Sequence, residues 1–103
     1  MAEWIDACAA EDLGEEDVLR FDHNGRTFAI YRTDDDRYFA TDGLCTHEKV
    51  HLADGVVTGT IIECPKHFGR FDVSTGEAKG APVCVDLETY PVKVEGGRVL
   101  LMI

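Results

Sequence analysis

Cys45-Thr46-His47 and Cys64-Pro65-Lys66-His67 are the residues of this chain whose types and spacing can do chemistry. Each short segment offers one thiol and one imidazole, in the patterns C-x-H and C-x-x-H. Two thiolates and two imidazoles can hold a tetrahedral zinc ion or an iron–sulfur centre. The one-residue gap of C-x-H is shorter than the two-to-four-residue gap usual in structural zinc sites. It does fit an iron–sulfur centre in which two His replace two Cys on one iron. From the residues alone, zinc stays open as the lesser alternative.

The same stretch spells a competing motif. His47-Glu48-Lys49-Val50-His51 reads H-E-x-x-H, the signature of a zinc protease helix with Glu48 as general base. Ala53-Asp54-Gly55 closes the segment too soon for the required helix, and the motif leaves Cys45, Cys64 and His67 without a role. His51 and His23 are therefore read as solvated loop residues rather than ligands. Cys8 and Cys84 have no ligand partner at a workable spacing and read as buried free thiols.

The elements that must position these residues read as β structure. Val18–Phe21 and Thr27–Arg32 alternate apolar and polar residues on either side of Asn24-Gly25, the strongest short hairpin signal. Asp34-Asp35-Asp36 turns the chain into Tyr38–Thr41. Near the end, Thr89–Val94 meets Val99–Met102 across Glu95-Gly96-Gly97-Arg98, and Pro91, which cannot donate to a ladder, places its strand at an edge or at a beginning. Single helical turns are expected at Ala7–Leu13 and within Thr46–Ala53. The middle third, 43–77, is rich in Gly, Cys and His and reads as loops organised around a metal centre.

Length and charge limit what such a centre can serve. At 103 residues the chain makes one domain, 1–103, too small for a closing two-domain cleft. Twenty acidic against ten basic residues, net −10, exclude nucleic acid, whose binding rests on neutralising phosphates, and argue against an anionic membrane. The acid is concentrated: residues 1–42 carry 12 acidic and 4 basic residues. That field would steer a basic partner or simply maintain solubility. The first residues lack the basic and apolar regions of a leader, no apolar run reaches membrane-spanning length, and a cytoplasmic location is expected. Four cysteines in a reducing compartment suit metal or redox duty better than disulfides.

With these motifs in view, the chain resembles the Rieske ferredoxins, particularly the small soluble ferredoxins of bacterial aromatic-ring oxygenase systems. Leu52-Ala53-Asp54-Gly55 is similar to the family's L-x-D/E-G turn, Phe71-Asp72-x-x-Thr75-Gly76 to its F-D-x-x-T-G, and Ala81-Pro82 to the proline loop that covers the cluster. Leu87-x-x-Tyr90-x-Val92 matches the returning strand. The resemblance implies an all-β Rieske fold: an antiparallel sandwich base, 1–42 and 78–103, and a loop-rich cluster-binding subdomain, 43–77. It implies one [2Fe–2S] cluster, with Cys45 and Cys64 on the inner iron and His47 and His67 on the outer. It also implies a one-electron carrier, not an enzyme, passing electrons from a ferredoxin reductase to a terminal oxygenase through transient contacts, as a monomer. A fixed subunit of a larger reductase is the alternative, with a zinc module or an H-E-x-x-H protease behind it.

Departures from the family pattern carry expectations of their own. High-potential Rieske proteins place one Cys at the position of Val50 and another at that of Lys66, so a loop-bracing disulfide is absent here. They also place hydroxyl donors to sulfur where this chain has Gly69 and Phe71. Fewer hydrogen bonds stabilise the reduced cluster less, which puts the potential at the low end of the Rieske range, on the order of −150 mV. Phe68 stands where Gly is common directly after the last His, and is expected to pack under the loop rather than to shield the cluster or join a partner-docking surface. Lys49, Lys66 and Arg70 flank the ligand positions and either neutralise Glu63 and Asp72 or form a docking rim.

Overall fold

A computed structural model describes residues 2–46, 48–66, 68–80 and 85–103. The expected ligands His47 and His67, with Ala81, Pro82 and Cys84 of the proline loop, lie outside the described residues.

The described residues form antiparallel strands with two single 3-10 turns, as the all-β reading requires. The strands are β1 (Trp4–Ala9), β2 (Asp17–His23), β3 (Arg26–Arg32), β4 (Tyr38–Asp42), β5 (Val56–Thr58), β6 (Ile61–Glu63), β7 (Arg70–Asp72), β8 (Thr89–Tyr90), β9 (Val92–Glu95) and β10 (Arg98–Met102). They pair into three sheets, ordered β1-β10-β9, β2-β3-β4-β8 and β5-β6-β7. Among the described residues, no helix is long and apolar enough to cross a membrane.

The hairpin expected at Asn24-Gly25 is present. Both residues take positive φ, 50° and 77°, and His23 pairs with Arg26 across the turn. His23 is only half-exposed, its ring stacked on Phe21 at 5.9 Å. Pro91 interrupts the ladder as expected: β8 ends before it on the edge of one sheet, and β9 begins after it on the edge of another.

Three expectations need correction. Residues 7–9 belong to β1, whose register with β10 runs from Trp4–Met102 to Ala9–Arg98 with a bulge between Asp6 and Cys8; only Ala10–Asp12 turn as a 3-10 helix. Short Ala-rich segments follow the sheet that buries them rather than their own propensity. In Thr46–Ala53 the sole described helical geometry is the 3-10 turn Leu52–Asp54. The middle third is also more than loops, since β5-β6-β7 form a sheet of their own within it. Strands of three residues are too short to show a period-2 pattern.

β3 is the central element, and its alternation explains the layering. Phe28 and Ile30 face one way, into a core with Cys8, Leu13, Ala40, Val99 and Leu101. Ala29 and Tyr31 face the other way, into a second core with Leu52, Val57, Ile62, Phe71, Val73 and both Cys45 and Cys64. Tyr31 is fully buried, and its hydroxyl shares a 2.8 Å hydrogen bond with the Thr41 hydroxyl, so the buried oxygen is satisfied. The cysteine loops are thus rooted in packed apolar side chains, although the loops themselves lack periodicity.

Candidate metal centre

Two loops built on one plan carry the cysteines. The first leaves β4 at Asp42, and Gly43 N–H donates to Thr27 O at 2.9 Å, fixing it to β3. Cys45 N–H then donates to Val50 O at 3.0 Å, while Leu44 and His51 form an isolated antiparallel bridge. The second loop leaves β6 at Glu63, and Cys64 N–H donates to Gly69 O at 2.7 Å before the chain returns as β7. In each loop the cysteine amide closes onto the carbonyl five residues ahead.

Beneath the first loop lies a polar support. Tyr90 donates to Asp42 Oδ1 at 2.6 Å, Arg26 Nη2 donates to the Tyr90 hydroxyl at 2.6 Å, and the Arg26 guanidinium sits 4.8 Å from the Phe28 ring centroid. Burial, reinforced by the bond to the Asp42 carboxylate, pushes the Tyr90 phenol up to about 12. This support escapes sequence reasoning, because its members are scattered from 26 to 90 in positions that read as ordinary strand residues.

The thiols themselves are buried, Cys64 completely and Cys45 almost so, and neither is in a disulfide. They come together: the Cys64 thiol is pushed up to about 11, first by burial, with the adjoining Cys45 thiol and Glu48 adding to the rise. The Lys66 backbone N–H, hydrogen-bonded to the Cys64 sulfur, acts the other way. Two adjoining buried thiols are costly to ionise alone, and a bound cation removes that cost. The donor set therefore fits a thiolate-bound metal centre, and the N–H directed at sulfur is the kind of contact that tunes an iron–sulfur cluster.

The neighbouring residues sort differently from expectation at two points. Phe68 is 69% exposed and takes φ 57°, so it does not pack under the loop. A positive φ is the conformation in which Gly has no steric penalty, which explains the glycine common at this place in the family. Lys66 meets neither Glu63 nor Asp72; its Nζ lies 3.0 Å from Glu48 Oε2, joining the two loops. Of the three flanking cations, Arg70 does stand opposite Glu63 in the β6–β7 ladder.

Thr46 Oγ1 donates to Val85 O at 2.7 Å, linking the first loop to the chain that follows residues 81–84. His51 is half-buried rather than solvated, facing Arg20, Asp22 and Thr27 across a cavity of about 260 Å³. It sits just before the 3-10 turn Leu52–Asp54, and residues 48–51 form no helix of the kind a zinc-protease motif needs. Cys8 is buried in the first core as expected, its thiol pushed up chiefly by burial. Gly69 and Phe71 are both buried and offer no hydroxyl to the site.

Comparison with known proteins agrees with this architecture. The Rieske [2Fe-2S] domain profile matches residues 3–91. The ferredoxin component of the naphthalene 1,2-dioxygenase system of Pseudomonas aeruginosa is 49% identical over 98 residues, covering 95% of this chain and 93% of that protein. The Sphingomonas yanoikuyae B1 ferredoxin superposes with a TM-score of 0.91 at 36% identity, covering 98% of this chain and 99% of its own. A chain in the complex of reduced oxygenase and oxidized ferredoxin of carbazole 1,9a-dioxygenase superposes with a TM-score of 0.90 at 36% identity, with 96% and 92% coverage. A profile spanning most of the chain, relatives near half-identical and two paired cysteine loops lead to one conclusion: the chain belongs to the Rieske [2Fe–2S] domain family.

Proposed function

We propose that this protein is a one-electron carrier that accepts an electron from a ferredoxin reductase and delivers it to a terminal oxygenase. The observation that carries this reading is the meeting of two buried, disulfide-free thiols from two loops in a chain 49% identical to a dioxygenase ferredoxin component. Cys45 and Cys64 would hold the inner iron of a [2Fe–2S] cluster, and His47 and His67 the outer iron. The chain works as one domain, 1–103, with 1–42 and 78–103 as base and 43–77 as the cluster-binding part. It acts as a monomer in the cytoplasm.

When bound, the cluster supplies a centre that takes up and releases a single electron. With neutral imidazoles, two ferric ions, two sulfides and two thiolates would carry no net charge, which would favour reduction relative to an all-thiolate centre. The protein's own residues do the rest. Leu52, Ile62, Phe71 and Val73 pack beneath the cysteines and exclude water from the inner side. The Lys66 amide stabilises charge on the Cys64 sulfur. No residue is needed as general acid or base, since no substrate bond is made or broken. Interfaces with the two partners must be small and polar enough to release quickly.

A stopped-flow experiment tests this: dithionite-reduced protein is mixed with the oxidised naphthalene 1,2-dioxygenase of Pseudomonas putida, whose own ferredoxin component is 48% identical to this chain. Rapid second-order re-oxidation is expected, with the protein eluting as a monomer on gel filtration. Re-oxidation no faster than in buffer, or elution only as part of a larger complex, contradicts it.

A further inference from the structure

Residues 85–90 are bonded to the first cysteine loop, to the chain beyond the second, and to β4. Val85 O accepts from Thr46 Oγ1 at 2.7 Å, beside Cys45. Asp86 Oδ1 accepts from Ala78 N–H at 2.9 Å, and Leu87 N–H donates to Gly76 O at 2.7 Å. Ala78 is itself bridged to Phe71 of β7, the strand that returns from the second cysteine loop. Leu87 is buried in the core that holds both Cys45 and Cys64. Glu88 O accepts from Asp42 N–H at 3.0 Å, at the root of the first loop. One segment thus ties the two halves of the site to each other and to the sheet below.

Strand pairing does little to hold that segment in register. β8 gives β4 only the pairs Ala40 with Tyr90 and Thr41 with Thr89, and residues 85–88 form no strand. A slip of one residue in so short a ladder loses few bonds, yet it turns every side chain to the opposite face. Tyr90 supplies the missing restraint. Its ring packs edge-on against Phe28 at 5.2 Å between centroids, and its hydroxyl reaches diagonally past Ala40 to donate to Asp42 Oδ1 at 2.6 Å. Arg26 Nη2 donates to the same hydroxyl at 2.6 Å, so β3 and β4 both grip it. A hydroxyl bonded to a carboxylate belongs to the stronger class of hydrogen bond.

We infer that Tyr90 is a positioning residue of the metal centre: through Asp42 and Arg26 it fixes residues 85–90, and these hold the two cysteine loops closed over the buried thiols. The inference rests on the carrier reading above. Tyr90 is not a ligand. It acts through Val85 on Thr46, and through Leu87 on the packing beneath Cys45 and Cys64. Loss of its hydroxyl therefore admits water to the site without removing a ligand. Solvent exposure is one of the terms that set the potential of an iron–sulfur centre. Water closer to a centre that gains negative charge on reduction favours the reduced form, and the potential rises.

Wild-type holoprotein and three variants test the role. Tyr90→Phe keeps the ring and drops the hydroxyl. Asp42→Asn keeps an acceptor oxygen for that hydroxyl. Gly96→Ala strains the distant β9–β10 turn, at φ 58° with nothing within 4 Å, and so controls for a general loss of stability. Hydrogen–deuterium exchange is read by mass spectrometry, and reduction potentials are titrated on the same samples. Tyr90→Phe should exchange residues 85–90 roughly tenfold faster, the effect of one hydrogen bond to a charged group, and should titrate at a higher potential than wild type. Residues 98–102 should exchange in Tyr90→Phe as in wild type. Asp42→Asn should retain slow exchange at 85–90, and Gly96→Ala should retain both the slow exchange there and the wild-type potential. Unchanged exchange at 85–90 in Tyr90→Phe, an unchanged or lower potential, fast exchange in Asp42→Asn, or the same two changes in Gly96→Ala overturns the proposal. Neither readout involves a partner protein. Wild-type protein that fails to re-oxidise with the oxygenase would defeat the carrier reading and leave the positioning role standing.

Discussion

Lys66 Nζ lies 3.0 Å from Glu48 Oε2, so an ion pair spans the two cysteine loops where high-potential relatives would use a disulfide. The side chains are 54% and 35% exposed, and such a pair contributes about 0–1 kcal/mol. Lys66→Glu replaces that attraction with repulsion between the loops. Loss of visible absorbance in guanidinium or chelator should be faster for this variant, and the swap Glu48→Lys/Lys66→Glu should recover most of the loss. Identical bleaching of all three proteins would show that the tie does not hold the loops.

Glycine positions separate backbone strain from close approach. A β-carbon at Gly76 would stand 2.1 Å from Leu87 O, at φ 81°; at Gly55 it would stand 2.2 Å from Glu63 O. Gly59, at φ 60°, has open space around it. Gly59→Ala should cost about 1 kcal/mol, from conformation alone. Gly76→Ala and Gly55→Ala should each cost roughly 3 kcal/mol or more, because backbone must move. Denaturant midpoints measured on all three check the order.

Stability should fall at high pH. Burial raises the Tyr31 phenol well above its usual value, only partly offset by its bond to Thr41, and raises Tyr90 to about 12. In the unfolded chain both ionise near 10. Raised folded values mean that the contribution is complete below pH about 10 and is lost as pH climbs through that value toward the folded ones. The unfolding midpoint followed by circular dichroism should drop across this window, and Tyr90→Phe should drop less steeply. A midpoint that rises between these limits would reverse the sign.

The reduction potential tests the reading of Gly69 and Phe71. Without hydroxyl donors at these buried positions, a redox titration should settle low in the Rieske range, on the order of −150 mV. Phe71→Tyr, which adds a hydroxyl at a fully buried position, should move it upward. A wild-type value above about +100 mV contradicts the account.

Legibility in the sequence followed the physics of each element. Asn24-Gly25 and Pro91 announced a hairpin and a strand edge because each residue type restricts its own backbone. β1 was hidden because Ala7-Cys8-Ala9 reads as weakly helical, and pairing with β10 decides otherwise. β5–β7 were hidden by their three-residue length. Cys45 and Cys64 stood out by spacing, and the structure brings their thiols together. The loop tie was not legible, since Glu48 and Lys66 are solvated charges until two loops face each other. Phe68 was misread because its apolar side chain suggests burial, while its backbone φ is invisible in a sequence.

The central claim is a two-cysteine, two-histidine [2Fe–2S] centre held by Cys45, His47, Cys64 and His67. EPR of the dithionite-reduced protein, with iron and sulfide counted on the same sample, tests it most directly. The account predicts a Rieske signal whose average g lies clearly below that of all-cysteine clusters. An all-cysteine type of signal, or none from protein holding stoichiometric iron, would contradict it.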